Sequence, residues 1–122
     1  MLNAAFIFIA PGADPALHRG VVETPSVRLT SIGVESYEQG AAVAREMAEA
    51  GVTAIELCGG FGIRGTYLVE QAVLGKARVG AVRFDLHPCR FDNDELQNQE
   101  EAKEERICLG ESQLRGRMGK SL

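Results

Sequence analysis

The sequence predicts an α/β domain built on a small, mainly parallel sheet. Three observations predict it. Short apolar runs bounded by glycine or proline, at residues 4–10 and 52–58, read as buried strands. A segment of helical periodicity, residues 36–50, lies between strand-like runs. A glycine-rich turn, residues 58–65, joins a strand to a helix.

The elements follow in order. Residues 4–10 are continuously apolar and stop at Pro11-Gly12, as in a strand buried on both faces. Asp14-Pro15 supplies a helix cap and a first-turn proline, which predicts a short helix over 15–22. Thr24-Pro25 closes it. Residues 27–34 mix β-branched residues with Arg28, Thr30 and Ser31, as in a strand exposed on part of one face. Ser36 and Gln39 form a capping box for a helix that presents Tyr37, Ala41, Ala44 and Ala48 on one stripe, with Val43 and Met47 beside it. Gly51 ends that helix. Residues 52–58 form the next strand, 63–74 a helix stopped by Gly75, and 79–84 the last strand. The result is four mainly parallel strands with flanking helices, either an open flavodoxin-like sheet or a half-barrel. A sheet this small leaves faces and edges uncovered, so the chain is expected to self-associate as a homo-oligomer.

Composition divides the chain at about residue 91. Up to Phe91, eight basic and nine acidic residues nearly cancel. Residues 92–105 carry seven acids against Lys103, and the chain from Arg106 on is mostly basic. Residues 1–91 are therefore expected to be the α/β domain, and 92–122 a charged tail, helical or disordered. The net charge of −4 lacks the clustered excess cation of a nucleic-acid binder. The apolar N-terminal run has no positive leader and is too short to span a bilayer, so no membrane is expected. Cys58, Cys89 and Cys108 are sparse and odd in number, which suits a reducing cytoplasm and no disulfide framework. With two histidines and no C-x-x-C, no metal site is expected.

Gly60, Gly62 and Gly65 spell G-x-G-x-x-G where that pattern has physical meaning, after a strand and at a helix start. Asp85 follows Gly65 by 20 residues, the place of a ribose-binding acid. A dinucleotide site nevertheless needs more sheet than this chain holds, and the motif is not on the first strand. Two readings stand: backbone amides of residues 60–62 hold a small anion such as phosphate or carboxylate, or the glycines serve tight strand–helix packing alone.

In parallel sheets ligands bind beyond the carboxyl ends of strands. Those ends supply Pro11, Gly12 and Asp14; Glu56, Cys58, Gly59, Gly60, Phe61 and Gly62; and Arg83, Asp85 and His87. Glu56 interrupts an apolar run, so it is expected to be buried as a general acid or base, or paired to an arginine such as Arg83. Cys58 is a small buried filler or a thiolate at a helix start. Arg83 is expected to assist in holding an anion.

Residues 4–15, 51–62 and 80–88 resemble a family of short bacterial α/β proteins of unknown function. The similarity rests on Ala4-Ala5-Phe6-Ile7-Phe8 through Pro11-Gly12-Ala13-Asp14-Pro15, on Gly51-Val52-Thr53-Ala54-Ile55-Glu56-Leu57-Cys58-Gly59-Gly60-Phe61-Gly62, and on Gly80-Ala81-Val82-Arg83-Phe84-Asp85 with His87-Pro88. It implies the fold and no activity or cofactor. The resemblance implies that members often carry a second histidine where this chain has Leu86, which weakens a metal site here. Residues 54–57 are more loosely similar to the acid-bearing strand of small (β/α) barrel aldolases, but no lysine stands at a strand end for a Schiff base. Three functions stay open: a protein binding a small anionic ligand at the turn, a small lyase or isomerase using Glu56, Asp85 and His87 for proton transfer, or a structural homo-oligomer with no ligand.

Overall fold

A computed structural model describes residues 1–88. The expected boundary at residue 91, the tail, and Cys89 and Cys108 lie outside them. The chain divides into two compact units, Met1–Arg83 and Phe84–Leu122. The first holds an open sheet of five strands in the order β2-β3-β1-β4-β5. These are β1 (Leu2–Ile9), β2 (Arg19–Glu23), β3 (Val27–Val34), β4 (Ala54–Leu57) and β5 (Arg78–Ala81). Two helices, α1 (Tyr37–Glu49) and α2 (Gly62–Ala72), follow β3 and β4.

The fifth strand corrects the expected helix over 15–22. The capping signal is real, but it drives a single turn. Asp14 Oδ1 accepts the Ala16 N–H at 2.9 Å. The Asp14 carbonyl accepts the N–H groups of Leu17 and His18 at 3.0 and 2.7 Å. Arg19-Gly20-Val21-Val22 then offers a glycine, two β-branched residues and no apolar stripe, so propagation fails. The segment pairs instead as an antiparallel edge strand, with Val21 opposite Thr30, and every residue of it is exposed.

The other strands are parallel. Ala5 stands opposite Thr30 on one side and Ile55 on the other, and Ile55 stands opposite Val79. The expected run 79–84 is β5 at Arg78–Ala81, with the Val82 N–H still bonded to the Leu57 carbonyl at 2.9 Å. The expected helix 63–74 is Gly62–Ala72, and Gly75 reverses the chain after it at φ 84°.

Ser36 caps α1, its Oγ accepting the Gln39 N–H at 3.1 Å. Gln39 Oε1 returns a bond one residue earlier than a standard capping box, accepting the Glu35 N–H at 2.7 Å. Gly51 ends the helix at φ 108°.

One face of the sheet carries the core. Ala5, Ile7, Ile32, Val34, Ile55 and Leu57 alternate along β1, β3 and β4 and pack against Val43, Ala44, Met47 and Ala48 of α1 and Val69 of α2. Both helices therefore lie on the same face, unlike a doubly wound sheet, which carries helices on both. Phe61, fully buried, sits between the helices. A Cβ on Gly40 would stand 2.7 Å from its Cε2, and one on Gly65 would stand 3.0 Å from its Cδ2. The Tyr37 ring stacks alongside at 6.1 Å. Two glycines, one per helix, make the notch that this ring fills.

Glycine to alanine inside a helix ordinarily adds about 1 kcal/mol of stability. Gly40→Ala is expected to reverse that sign, costing about 1–3 kcal/mol by overpacking. Phe61→Ala is expected to cost about 3–5 kcal/mol through the cavity it leaves. Urea unfolding measures both. A more stable Gly40→Ala protein would show that the notch is not filled as described.

Candidate functional site

Four parallel strands bring the carboxyl ends of β1, β3, β4 and β5 to one end of the sheet. Both helices start there, α1 after β3 and α2 after β4. Between them lies an open depression lined by Ile9, Ser36, Tyr37, Glu38 and Gly60. This is the end at which open α/β sheets take ligands.

The turn into α2 is built in two steps. Residues Gly59–Phe61 form one 3₁₀ turn, with the Phe61 N–H bonded to the Cys58 carbonyl at 3.2 Å. Gly62 then swings the chain into the helix at φ 63°, a left-handed value that disfavours other residues. Gly60 lies against β1: a Cβ there would stand 2.6 Å from Ile9 Cγ2. Gly65 would meet the Tyr37 ring at 2.8 Å. Each glycine of G-x-G-x-x-G thus has a backbone or packing requirement of its own.

The expectation of three open amides at residues 60–62 therefore shifts. The Phe61 N–H is spent inside the turn. The donors left without an intrahelical acceptor are those of the first turn of α2, Ile63 and Arg64 among them. Among the described residues no side chain caps this helix, whereas Ser36 caps α1. Ile63 is 92% exposed, and Arg64 beside it is exposed as well.

Other predicted residues take definite places. The Gly12 N–H, expected to meet a ligand, donates to Glu35 Oε2 at 2.9 Å, and Pro11 beside it is exposed. Glu35 was not singled out in the sequence; its position just past a strand is the only signal it carries. Cys58 is half-buried, and its Sγ accepts the Ile9 N–H at 3.3 Å, which ties the ends of β4 and β1 together. His18 Nδ1 accepts the Asp14 N–H at 2.8 Å. Arg83 is exposed and engaged with a partner, one residue beyond the last β4–β5 bond.

Glu56 corrects an expectation. It is exposed, because it alternates with the buried Ile55 and Leu57 and so points to the face opposite α1 and α2. Among the described residues it forms no ion pair with Arg83 or any other base; those pairs are Arg28–Glu23 and Lys76–Glu49. Asp85 and His87 belong to the second unit, where the His87 ring lies 4.8 Å from that of Phe84. Among the described residues no group of three His, Cys, Asp or Glu is placed to hold a metal ion, and no helix is long and apolar enough to cross a membrane.

A model described as a family of unknown function (DUF6506) matches residues 2–98. No curated protein and no solved structure matches the chain.

Replacing Cys58 by alanine removes the acceptor of the Ile9 amide. The expected cost is about 1 kcal/mol in chemical unfolding, with faster hydrogen exchange at Ile9. Unchanged exchange at Ile9 would show that the sulfur holds nothing.

Proposed function

The chain belongs to DUF6506, a family of unknown function, and from that premise we propose that it binds a small anionic group, a phosphate or carboxylate, at the start of α2. The observation that carries the proposal is the uncapped first turn of this helix. Helix starts hold unmatched N–H donors and a partial positive charge, and most are closed by a side-chain oxygen. This one has none among the described residues and starts two residues past Gly60, which lines the depression at the strand ends. An anion there would accept from Ile63 and Arg64, with the guanidinium of exposed Arg64 close at hand.

Glu38 acts in the opposite sense. It lines the depression from the first turn of α1, where it favours its own helix dipole and repels an incoming anion. Glu56, the base of the proton-transfer alternative, stands on the sheet face away from α2, which favours binding over catalysis. The same reading makes the protein a homo-oligomer of the bacterial cytoplasm, in keeping with its balanced domain charge and its three sparse cysteines.

Titration with inorganic phosphate, followed by amide shifts, is the test. The Ile63 and Arg64 amides are expected to move together and saturate. Arg64→Ala is expected to weaken binding, and Glu38→Gln to tighten it by about twofold to fivefold, the scale of one charge at a helix end. Thermal stability is expected to rise with phosphate as the folded state is bound. Amides of the α2 first turn that stay still at every anion concentration would remove the proposal.

A further inference from the structure

The sheet face opposite the helices is uncovered in the first unit, and its pattern of side chains fits itself. Phe6 and Phe8 stack on it at 6.4 Å, both half-buried, and Leu29 stands beside them. Val22 on β2 is 63% exposed. An amphipathic sheet is stable when each apolar face has a layer to bury it, and here one face has none among the described residues.

The register shows what that layer is. Ala5 lies in one row with Thr30, Ile55 and Val79, whose side chains belong to the helix side or its rim. The rows on either side of it point to the bare face. In one of them Ala4 lies beside Leu29 and Ala54. In the other Phe6 lies beside Ser31 and Glu56. On each strand one row holds a large residue where the other holds a small one. A twofold axis across the strands at the level of Ala5 exchanges the two rows. It sets Phe6 over Ala4 of a second copy and Leu29 over Ser31. Further out it sets Val22 over Gly20, because β2 continues the same rows.

The charges obey the same operation. Glu56 and Arg78 are the acid and the base of this face on β4 and β5, both exposed, and neither is ion-paired within the described residues. Arg78 lies in the row of Ala54, and Glu56 in the row of Gly80. Exchanging the rows brings each Glu56 level with the other copy's Arg78, one strand spacing of about 4.8 Å to the side. Isologous contacts require this reciprocity, in which residue i meets j and j meets i.

We infer that the bare face of the sheet is a homodimer interface: two copies of this chain pack face to face across a twofold axis, burying Phe6 and Leu29 and pairing Glu56 with Arg78 across it. The sheets cross at about −30°, as aligned sheets do, so the fit is tightest at β3, β1 and β4 in the middle of the sheet. The strand ends and the start of α2 stay outside the interface, so anion binding and dimerisation are independent.

Sedimentation of the full chain tests the inference. A dimer is expected at protein concentrations on the order of 100 µM. Glu56→Arg and Arg78→Glu are each expected to raise the dissociation constant by about tenfold or more, from like charges facing across the contact. The double charge swap is expected to return it to within about threefold of the parent. Ser31→Leu fills the hollow that receives Leu29 and is expected to yield a folded monomer by circular dichroism. A parent chain that is monomeric throughout, or a dimer indifferent to these substitutions, would overturn the inference.

Discussion

The seating of Phe61 between Gly40 and Gly65 is the contact on which the arrangement of this domain depends. The ring follows β4 by only a few residues and lies fully buried. Its position fixes three things together: how closely α1 and α2 approach, where the 3₁₀ turn sits against Ile9, and the direction in which α2 starts. Dispersion contacts of a buried aromatic ring are individually small, but their sum is lost as a unit when the ring has no matching hollow. Glycine on both helices supplies that hollow. The start of α2, and with it the proposed anion site, is thereby held by core packing rather than by the loop itself.

A second constraint comes from connectivity. The steps from β3 to β4 and from β4 to β5 both run in the same direction across the sheet. Parallel crossovers are right-handed, so two steps in one direction put both helices on one face. The link from β1 to β3 carries an antiparallel strand in place of a helix. Among the described residues the second face is bare as a consequence of these three connections. Its alternation of large and small residues, and its one acid and one base on β4 and β5, follow from the same register that builds the core on the other side.

Much of this was legible in the sequence, for identifiable reasons. The apolar runs of β1 and β4, the Ser36 cap and the stop at Gly51 are local signals, and local signals decided those elements. At Asp14 a local signal misled: the cap is made, but Arg19 to Glu23 found a better partner in β3 than in a helix of their own. Glu56 misled in another way. Its neighbours are buried, and nothing in the spacing says that α1 and α2 share one face. The glycines of the turn were legible as glycines that must be glycine. The partners of Gly60 and Gly65, Ile9 and Tyr37, are distant in sequence, so the packing reason emerged only from the fold.

The direct measurement of the central contact is a nuclear Overhauser spectrum of the folded protein, read at the Phe61 ring. The account predicts cross-peaks from the ring protons to the Hα protons of both Gly40 and Gly65, with those Hα resonances displaced by the ring current. A ring that shows neither cross-peak, or whose neighbours are solvent-exposed side chains, would contradict the account at its base.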